Sequence, residues 1–179
     1  YNESLTIERE IGHRRGEAAC LGNLGNIVDS RGDLKEAERL HNESLTIERE
    51  IGHRRGEATS LGSLGHIAHS KGDLKKAERL YNESLTIETE IGHRRGVGTI
   101  LGSLAGIAET IGDLKEAERL HNESLTIKRE IGHRQGEAAS LGNLGGIAHS
   151  IGDLKKAERL YNESLTIKRE IGHRQGEAA

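Results

Sequence analysis

Apolar residues recur at steps of three and four along two segments of the chain, and this pattern returns every 40 residues. The segment from Asp33 to Ile51 carries apolar or semi-apolar side chains at Leu34, Ala37, Leu40, His41, Ser44, Leu45 and Ile51. The segment from Arg14 to Arg31 carries an apolar stripe at Leu21, Leu24, Ile27 and Val28. Steps of three and four are the spacing of an amphipathic helix. The pattern therefore predicts two helices in each 40 residues.

The 40-residue period extends through the whole chain. The string Asn-Glu-Ser-Leu-Thr-Ile begins at Asn2, Asn42, Asn82, Asn122 and Asn162. A fixed period of this size indicates a stack of similar helix pairs instead of one globular core. We predict a single repeat array over residues 1–179, with a partial module at 1–12, repeats at 13–52, 53–92, 93–132 and 133–172, and a partial module at 173–179. The chain contains no Met, and we interpret it as an excerpt of a longer array.

Glycine and acidic residues mark the predicted helix ends. We expect Gly32 to close one helix in a left-handed conformation and Asp33 to cap the next, with Glu36 completing a capping box. That box is lost where Lys76 and Lys156 replace the glutamate.

Glycine also stands inside the first predicted helix, at Gly25 and its equivalents Gly65 and Gly145. A glycine there costs about 1 kcal/mol relative to alanine. Close approach of a neighbouring helix would explain the choice, and Ala105 is the one substitute in the four repeats. We therefore predict a tight helix–helix contact at these positions.

The composition argues against several classes of protein. The net charge is −3 and 31% of residues are charged, with both signs interspersed, so no strong field favours nucleic acid or acidic lipid. No apolar run approaches the roughly 20 residues that a membrane helix needs. The single cysteine, Cys20, excludes an intramolecular disulfide and favours a reducing, cytoplasmic compartment. We expect Cys20 to be inert packing on the apolar face.

Histidines supply the candidate chemistry. His66 and His69 lie three apart on one predicted helix face, and stacked helices are roughly 8–10 Å apart, so Asp29 and Glu109 would flank His69. Two interpretations stay open: a metal site, or a hydrogen-bonded ionic ladder along a polar groove, which we favour. The Gly-His-Arg turns, interpreted as solvated, lie at His13, His53, His93, His133 and His173. We see no catalytic constellation and predict no enzyme activity, cofactor or metal.

Four features of the helix pair resemble the tetratricopeptide repeat: Leu21, Leu24-Gly25, Gly32-Asp33 and Ala37. The 40-residue period and the string Leu-Gly-Asn-Leu-Gly-Asn are similar to the longer variant in kinesin light chains and in the Leu-Gly-Asn-repeat adaptors of spindle orientation. The resemblance implies an all-α, right-handed superhelical solenoid of antiparallel helix pairs. The family's terminal proline and early aromatic are missing, and its second-helix aromatic alternates as His41, Tyr81, His121 and Tyr161. A thinner core is the expected consequence.

In that family the first helices line a concave groove that binds a partner's peptide. By resemblance, the groove residues here are small or polar: Ala19, Gly22, Asn26, Asp29, Ser30, Thr59, Gly62, His66, His69, Ser70, Thr99, Gly102, Glu109, Thr110, Ala139, Gly142, His149 and Ser150. No Lys or Arg belongs to this set, so the clamp on a C-terminal carboxylate that some relatives use is not expected.

The first helices vary more between repeats than the second helices do, as at Asn26, His66, Gly106 and Gly146. Specialisation of a groove for a ligand would produce this difference, and so would drift at exposed sites after duplication. We predict a non-catalytic scaffold that binds a protein or peptide ligand in the groove. The alternative is a structural repeat that self-associates head to tail through uncapped ends. Neither nucleic acid nor a membrane is an expected partner.

Overall fold

The computed structural model describes the backbone of residues 2–177 and the side chains of residues 3–172. Within these residues the chain forms helices and no strand, which confirms the predicted all-α repeat fold. The helices are α1 (Asn2–Glu10), α2 (Arg14–Ser30), α3 (Leu34–Glu50), α4 (Arg54–Ser70), α5 (Leu74–Glu90), α6 (Arg94–Thr110), α7 (Leu114–Glu130), α8 (Arg134–Ser150) and α9 (Leu154–Glu177). The right-handed sense of the superhelix and the module boundaries stay predictions.

The helices divide into two compact units, Tyr1–His93 and Arg94–Ala179. In the N-terminal unit, the pairs α2–α3 and α4–α5 form hairpins, and α3 packs against α4. In the C-terminal unit, α6–α7 and α8–α9 form hairpins, and α7 packs against α8. We call α2, α4, α6 and α8 the first helices of the repeats, and α3, α5, α7 and α9 the second helices.

Each turn within a hairpin ends one helix at a glycine and caps the next with an aspartate. Gly32 has a φ of 83°, and the Asp33 side chain accepts a hydrogen bond from the Glu36 backbone N–H at 3.1 Å. The predicted reciprocal bond of a capping box does not form, because the Asp33 N–H donates to the Val28 carbonyl and the Glu36 carboxylate binds Arg39. Replacing the glutamate therefore leaves the N-cap in place, because the Asp73 side chain still accepts a hydrogen bond from the Lys76 backbone N–H.

A buried serine joins the two helices of every hairpin. Ser44 in α3 donates its hydroxyl to the Ala18 carbonyl of α2 at 2.9 Å. The equivalent bonds are Ser84 to Ala58 (2.8 Å), Ser124 to Gly98 (2.6 Å) and Ser164 to Ala138 (2.7 Å). All four serines are buried, so the hydroxyl is satisfied within the core. Ile51 follows the end of α3 and is exposed, while Ile47 and Glu48 take buried positions on the helix.

The predicted close contact at the helix glycines is confirmed, and a side-chain ring makes it. A Cβ at Gly25 would lie 2.6 Å from the His41 ring, and a Cβ at Gly65 would lie 2.7 Å from the Tyr81 ring. Gly145 faces Tyr161 in the same way. Cys20 is half-buried in α2 and is free.

Buried carboxylates connect one repeat to the next. Glu57 in α4 is buried and accepts hydrogen bonds from Arg49 of α3 at 2.9 Å and from Arg54 at 2.7 Å. Glu17 and Glu137 are held by two arginines in the same way. The hydrogen bond from Arg9, more than that from Arg14, lowers the pKa of Glu17, so the carboxylate is charged at neutral pH.

Replacing Gly65 with alanine tests the contact between the ring and the helix. Because the new Cβ overlaps the Tyr81 ring, overpacking of about 1–3 kcal/mol should outweigh the gain in helix propensity of about 1 kcal/mol. Gly106→Ala is the matched control, since no atom outside the local helix lies within 4 Å of a Cβ there. Urea denaturation should show a loss of stability in Gly65→Ala and a gain in Gly106→Ala. Equal stability of the two variants would contradict the assignment.

Burial lowers the pKa of His41, and the negative charge of Asp29 opposes that shift. His41 is therefore neutral in the folded chain at neutral pH. Its contribution to stability is fully present above the unfolded pKa of about 6.5. It is lost as the pH falls from there through the folded pKa. We expect His41→Tyr, which copies the tyrosine found over Gly65, to reduce the drop in melting temperature between pH 8 and pH 5. The exposed His149→Tyr serves as control and should leave that drop unchanged.

Candidate ligand-binding cleft

A cleft of about 370 Å³ lies in the N-terminal unit between α2, α4 and the second helix α3. Most of its lining is small or polar, with charged side chains at one end. The lining residues are Arg15, Ala18, Ala19, Gly22, Asn23, Asn26, His41, Ser44, Glu48, His53, Arg55, Gly56, Thr59, Ser60 and Ser63. Gly22 keeps the cleft floor low because it has no side chain. A Cβ there would have the Ser44 hydroxyl as its nearest neighbour, at 3.8 Å.

The residues predicted to line a groove all lie on first helices, and none of them is buried. Four line the cleft: Ala19, Gly22, Asn26 and Thr59. The others of the N-terminal unit lie outside the cleft lining, farther along α2 and α4: Asp29, Ser30, Gly62, His66, His69 and Ser70. Those of the C-terminal unit lie on α6 and α8: Thr99, Gly102, Glu109, Thr110, Ala139, Gly142, His149 and Ser150. Several hydroxyls donate back into their own helix, as Thr59 does to the Arg55 carbonyl.

The sequence-based set missed two cations that line the cleft. Arg15 and Arg55 stand four residues before Ala19 and Thr59, on the same helix faces. The helical step of four was the available signal, but the predicted set began one turn too late. The predicted set contains no Lys or Arg, whereas two guanidinium groups lie at the charged end of this cleft.

The histidines of the Gly-His-Arg turns at His53 and His93 are half-buried and bonded to carboxylates, a contact that the interpretation as solvated turns did not include. His53 Nδ1 lies 2.5 Å from a carboxylate oxygen of Glu48, which is only 5% exposed. His53 Nε2 lies 3.2 Å from Arg15 Nη2. Because arginine has only donors, Nε2 accepts and Nδ1–H donates to the carboxylate.

Glu88, His93 and Arg55 form the same chain, with distances of 2.7 and 3.3 Å. Each chain joins a second helix, the turn that follows it and the first helix of the same repeat. His13 is more exposed and also binds a carboxylate, that of Glu8, and His173 lies outside the described side chains.

The residues of the hypothetical metal site do not assemble. His66 Nε2 lies 3.6 Å from Asp29 Oδ2. Glu109 instead lies 2.7 Å from Nε2 of the buried His121 in the third repeat. Among the described residues, no group of three or more His, Cys, Asp and Glu side chains is placed to hold a metal ion. In the same part of the chain no helix is long and apolar enough to cross a membrane.

Several solved structures share this architecture. BtubC (BKLC) from P. vanneervenii is 20% identical, with a TM-score of 0.78 over 89% of this chain and 66% of that one. Aspartyl phosphate phosphatase F from Bacillus subtilis is 9% identical, with a TM-score of 0.85 over 89% of this chain and 42% of that one. The nearly identical TPR-like repeats of a putative kinesin light chain from Podosopora anserina are 16% identical, with a TM-score of 0.67 over 93% and 83%. At these identities the likeness establishes the fold alone.

Sequence comparison identifies the family. The chain spans 66% of BtubC and 42% of the phosphatase, and a search of curated proteins finds no match. A family model for the tetratricopeptide repeat matches residues 30–90, 56–130 and 96–170, which together extend from residue 30 to residue 170. The motifs around Leu24-Gly25 and Gly32-Asp33 pointed to the same family. The chain therefore belongs to the tetratricopeptide repeat family and has its all-α helical repeat fold.

Proposed function

We propose that this chain is a non-catalytic scaffold that holds a peptide or a partner's helix against its first helices. The observation that carries the proposal is the cleft between α2 and α4, which is lined by small and polar side chains. Glycine on the cleft floor lets a ligand's backbone approach closely. The Asn23 and Asn26 side chains each offer a donor and an acceptor to a peptide backbone.

The charged end of the cleft supports a polar ligand. Arg15 and Arg55 each place a guanidinium group at the cleft, and each also contacts a histidine ring. Exposed arginines of this kind favour carboxylate groups on a ligand through paired hydrogen bonds. In the proposal, the predicted groove residues beyond the cleft extend the contact surface along each unit.

The proposal is tested by selecting peptides from a random library on the wild-type chain. Replacing Asn26 and His66 together with alanine should weaken binding of a selected peptide by about 30-fold, since each of the two lost hydrogen bonds contributes about 1 kcal/mol. Both side chains are exposed, so circular dichroism should show unchanged helix content. Loss of helix content would instead identify these residues as structural.

A bulky side chain at Gly22 gives a second variant that fills the cleft itself. The nearest atom to a Cβ at Gly22 or at Gly142 is a serine hydroxyl at 3.8 Å, so the fold has room at both sites. Gly22→Leu should abolish binding of a peptide that occupies the N-terminal cleft, and Gly142→Leu is the matched control. Equal binding by both variants would place the ligand elsewhere.

Self-association is the second candidate, and an apolar face of α9 favours it. Leu154, Tyr161 and Leu165 are 62%, 44% and 42% exposed. The equivalent residues Tyr81 and Leu125 are buried. Light scattering coupled to size-exclusion chromatography should show a mass that rises with concentration if this face binds a second copy. A constant mass near 19.5 kDa would leave the cleft as the functional surface.

A further inference from the structure

One position of the second helices reverses its charge along the chain. Residues 8, 48 and 88 are glutamates, whereas residues 128 and 168 are lysines. In the N-terminal unit, the carboxylate at this position accepts the hydrogen bond from histidine Nδ1–H. The substitution at Lys128 therefore removes the acceptor of a buried hydrogen bond and places a cation there.

The N-terminal unit shows what normally fills this place. The Glu48 carboxylate lies over the first turn of α4, where a Cβ on Gly56 would be 2.2 Å from its carbon. There it accepts from His53 Nδ1, and it is buried. A negatively charged group thus occupies the space between the glycine and the histidine ring.

In the C-terminal unit the equivalent histidine lacks that acceptor. His133 Nε2 lies 3.1 Å from Arg95 Nη2 and must accept, because arginine only donates. The ring proton is therefore on Nδ1, which is buried and has no hydrogen-bond partner. A buried donor without an acceptor is rare in proteins and indicates a missing partner.

Among the residues that the structure describes, the cation that replaces the carboxylate has no acidic partner either. Lys128 Nζ donates to the Ser140 hydroxyl at 3.0 Å, and this is its one hydrogen bond among the described residues. Burial lowers the pKa of Lys128. Burial, then the charges of Arg95 and Lys128, lower the pKa of His133. The nearby Glu137 carboxylate is already bound by Arg129 and Arg134.

Lys128 and His133 approach each other beside Gly136. A Cβ on Gly136 would lie 2.5 Å from His133 Nδ1 and 3.0 Å from Lys128 Cδ. A Cβ on Gly102 would lie 3.7 Å from Lys128 Nζ, so the ammonium group lies beside a predicted groove position. The Lys128 stem therefore lies beside His133 Nδ1, and the ammonium group at its end reaches α6.

We propose that Lys128 and His133, whose Nε2 accepts from Arg95, form a binding site for a single oxyanion, a carboxylate or phosphate group supplied by a ligand. The oxyanion accepts a hydrogen bond from His133 Nδ1–H, as Glu48 does from His53, and its negative charge balances that of Lys128. If a bound peptide carries the oxyanion on one of its side chains, that part of the proposal rests on the proposed scaffold function. The site itself does not depend on that function.

The site is tested by NMR of the histidine rings, with sodium phosphate and sodium acetate as separate probes and sodium chloride holding the ionic strength constant. In the wild-type chain we expect a saturable shift of the His133 ring resonances and no comparable shift at His53 or His93. Saturation by both probes would assign a site that accepts a carboxylate, and saturation by phosphate alone would assign a phosphate site. Equal, non-saturating shifts at all three rings would overturn the proposal.

Two variants provide matched controls within the same chain. Lys128→Glu restores the pair found at Glu48 and His53, and should weaken anion binding at His133 at least tenfold. Glu48→Lys copies the third repeat's second helix into the first repeat, and should create a second saturable site reported by His53. The gain at His53 keeps the test decisive if Lys128→Glu folds poorly. Unaltered binding in Lys128→Glu, or no new response in a folded Glu48→Lys, would contradict the site.

Discussion

The close approach of the two helices in each hairpin is the constraint on which the other features of this protein depend. The chain has few aromatic residues, so its core cannot rely on large side chains to fill wide gaps. Instead, a ring from the second helix rests on a glycine of the first, as Tyr81 does on Gly65. A buried serine then bonds to a carbonyl of the facing helix. Both contacts require small residues on the first helix, and this leaves a shallow, polar surface there.

Electrostatic contacts join neighbouring repeats within each unit. Buried glutamates such as Glu57 accept from one arginine in their own helix and one in the preceding repeat. Burying a carboxylate is costly unless it is paired and hydrogen-bonded. The two arginine partners offset the cost of burying the carboxylate, and they specify how adjacent helices are aligned. Near-identical repeats thus give near-identical junctions inside a unit.

The same regularity makes single substitutions informative. Where repeats share a backbone and most contacts, a change at one position alters local chemistry without altering the scaffold. Glu48 and Lys128 occupy equivalent positions, yet one completes a hydrogen-bonded chain and the other leaves a histidine without its acceptor. A repeat protein can therefore acquire binding sites of different charge along one surface while the fold stays constant.

The sequence by itself determined the elements, because their signals are local. The helix ends at Gly32 and Asp33 and the glycine contact at Gly25 follow from residues within one repeat, and each was predictable from spacing. The hydrogen-bonded chain from Glu48 through His53 to Arg15 was not, since Arg15 lies 38 residues from His53. Nor did spacing show that Glu109 turns to His121. Those relations depend on how one helix packs on another, which brings distant residues together and buries their charges, and only the tertiary structure decides that.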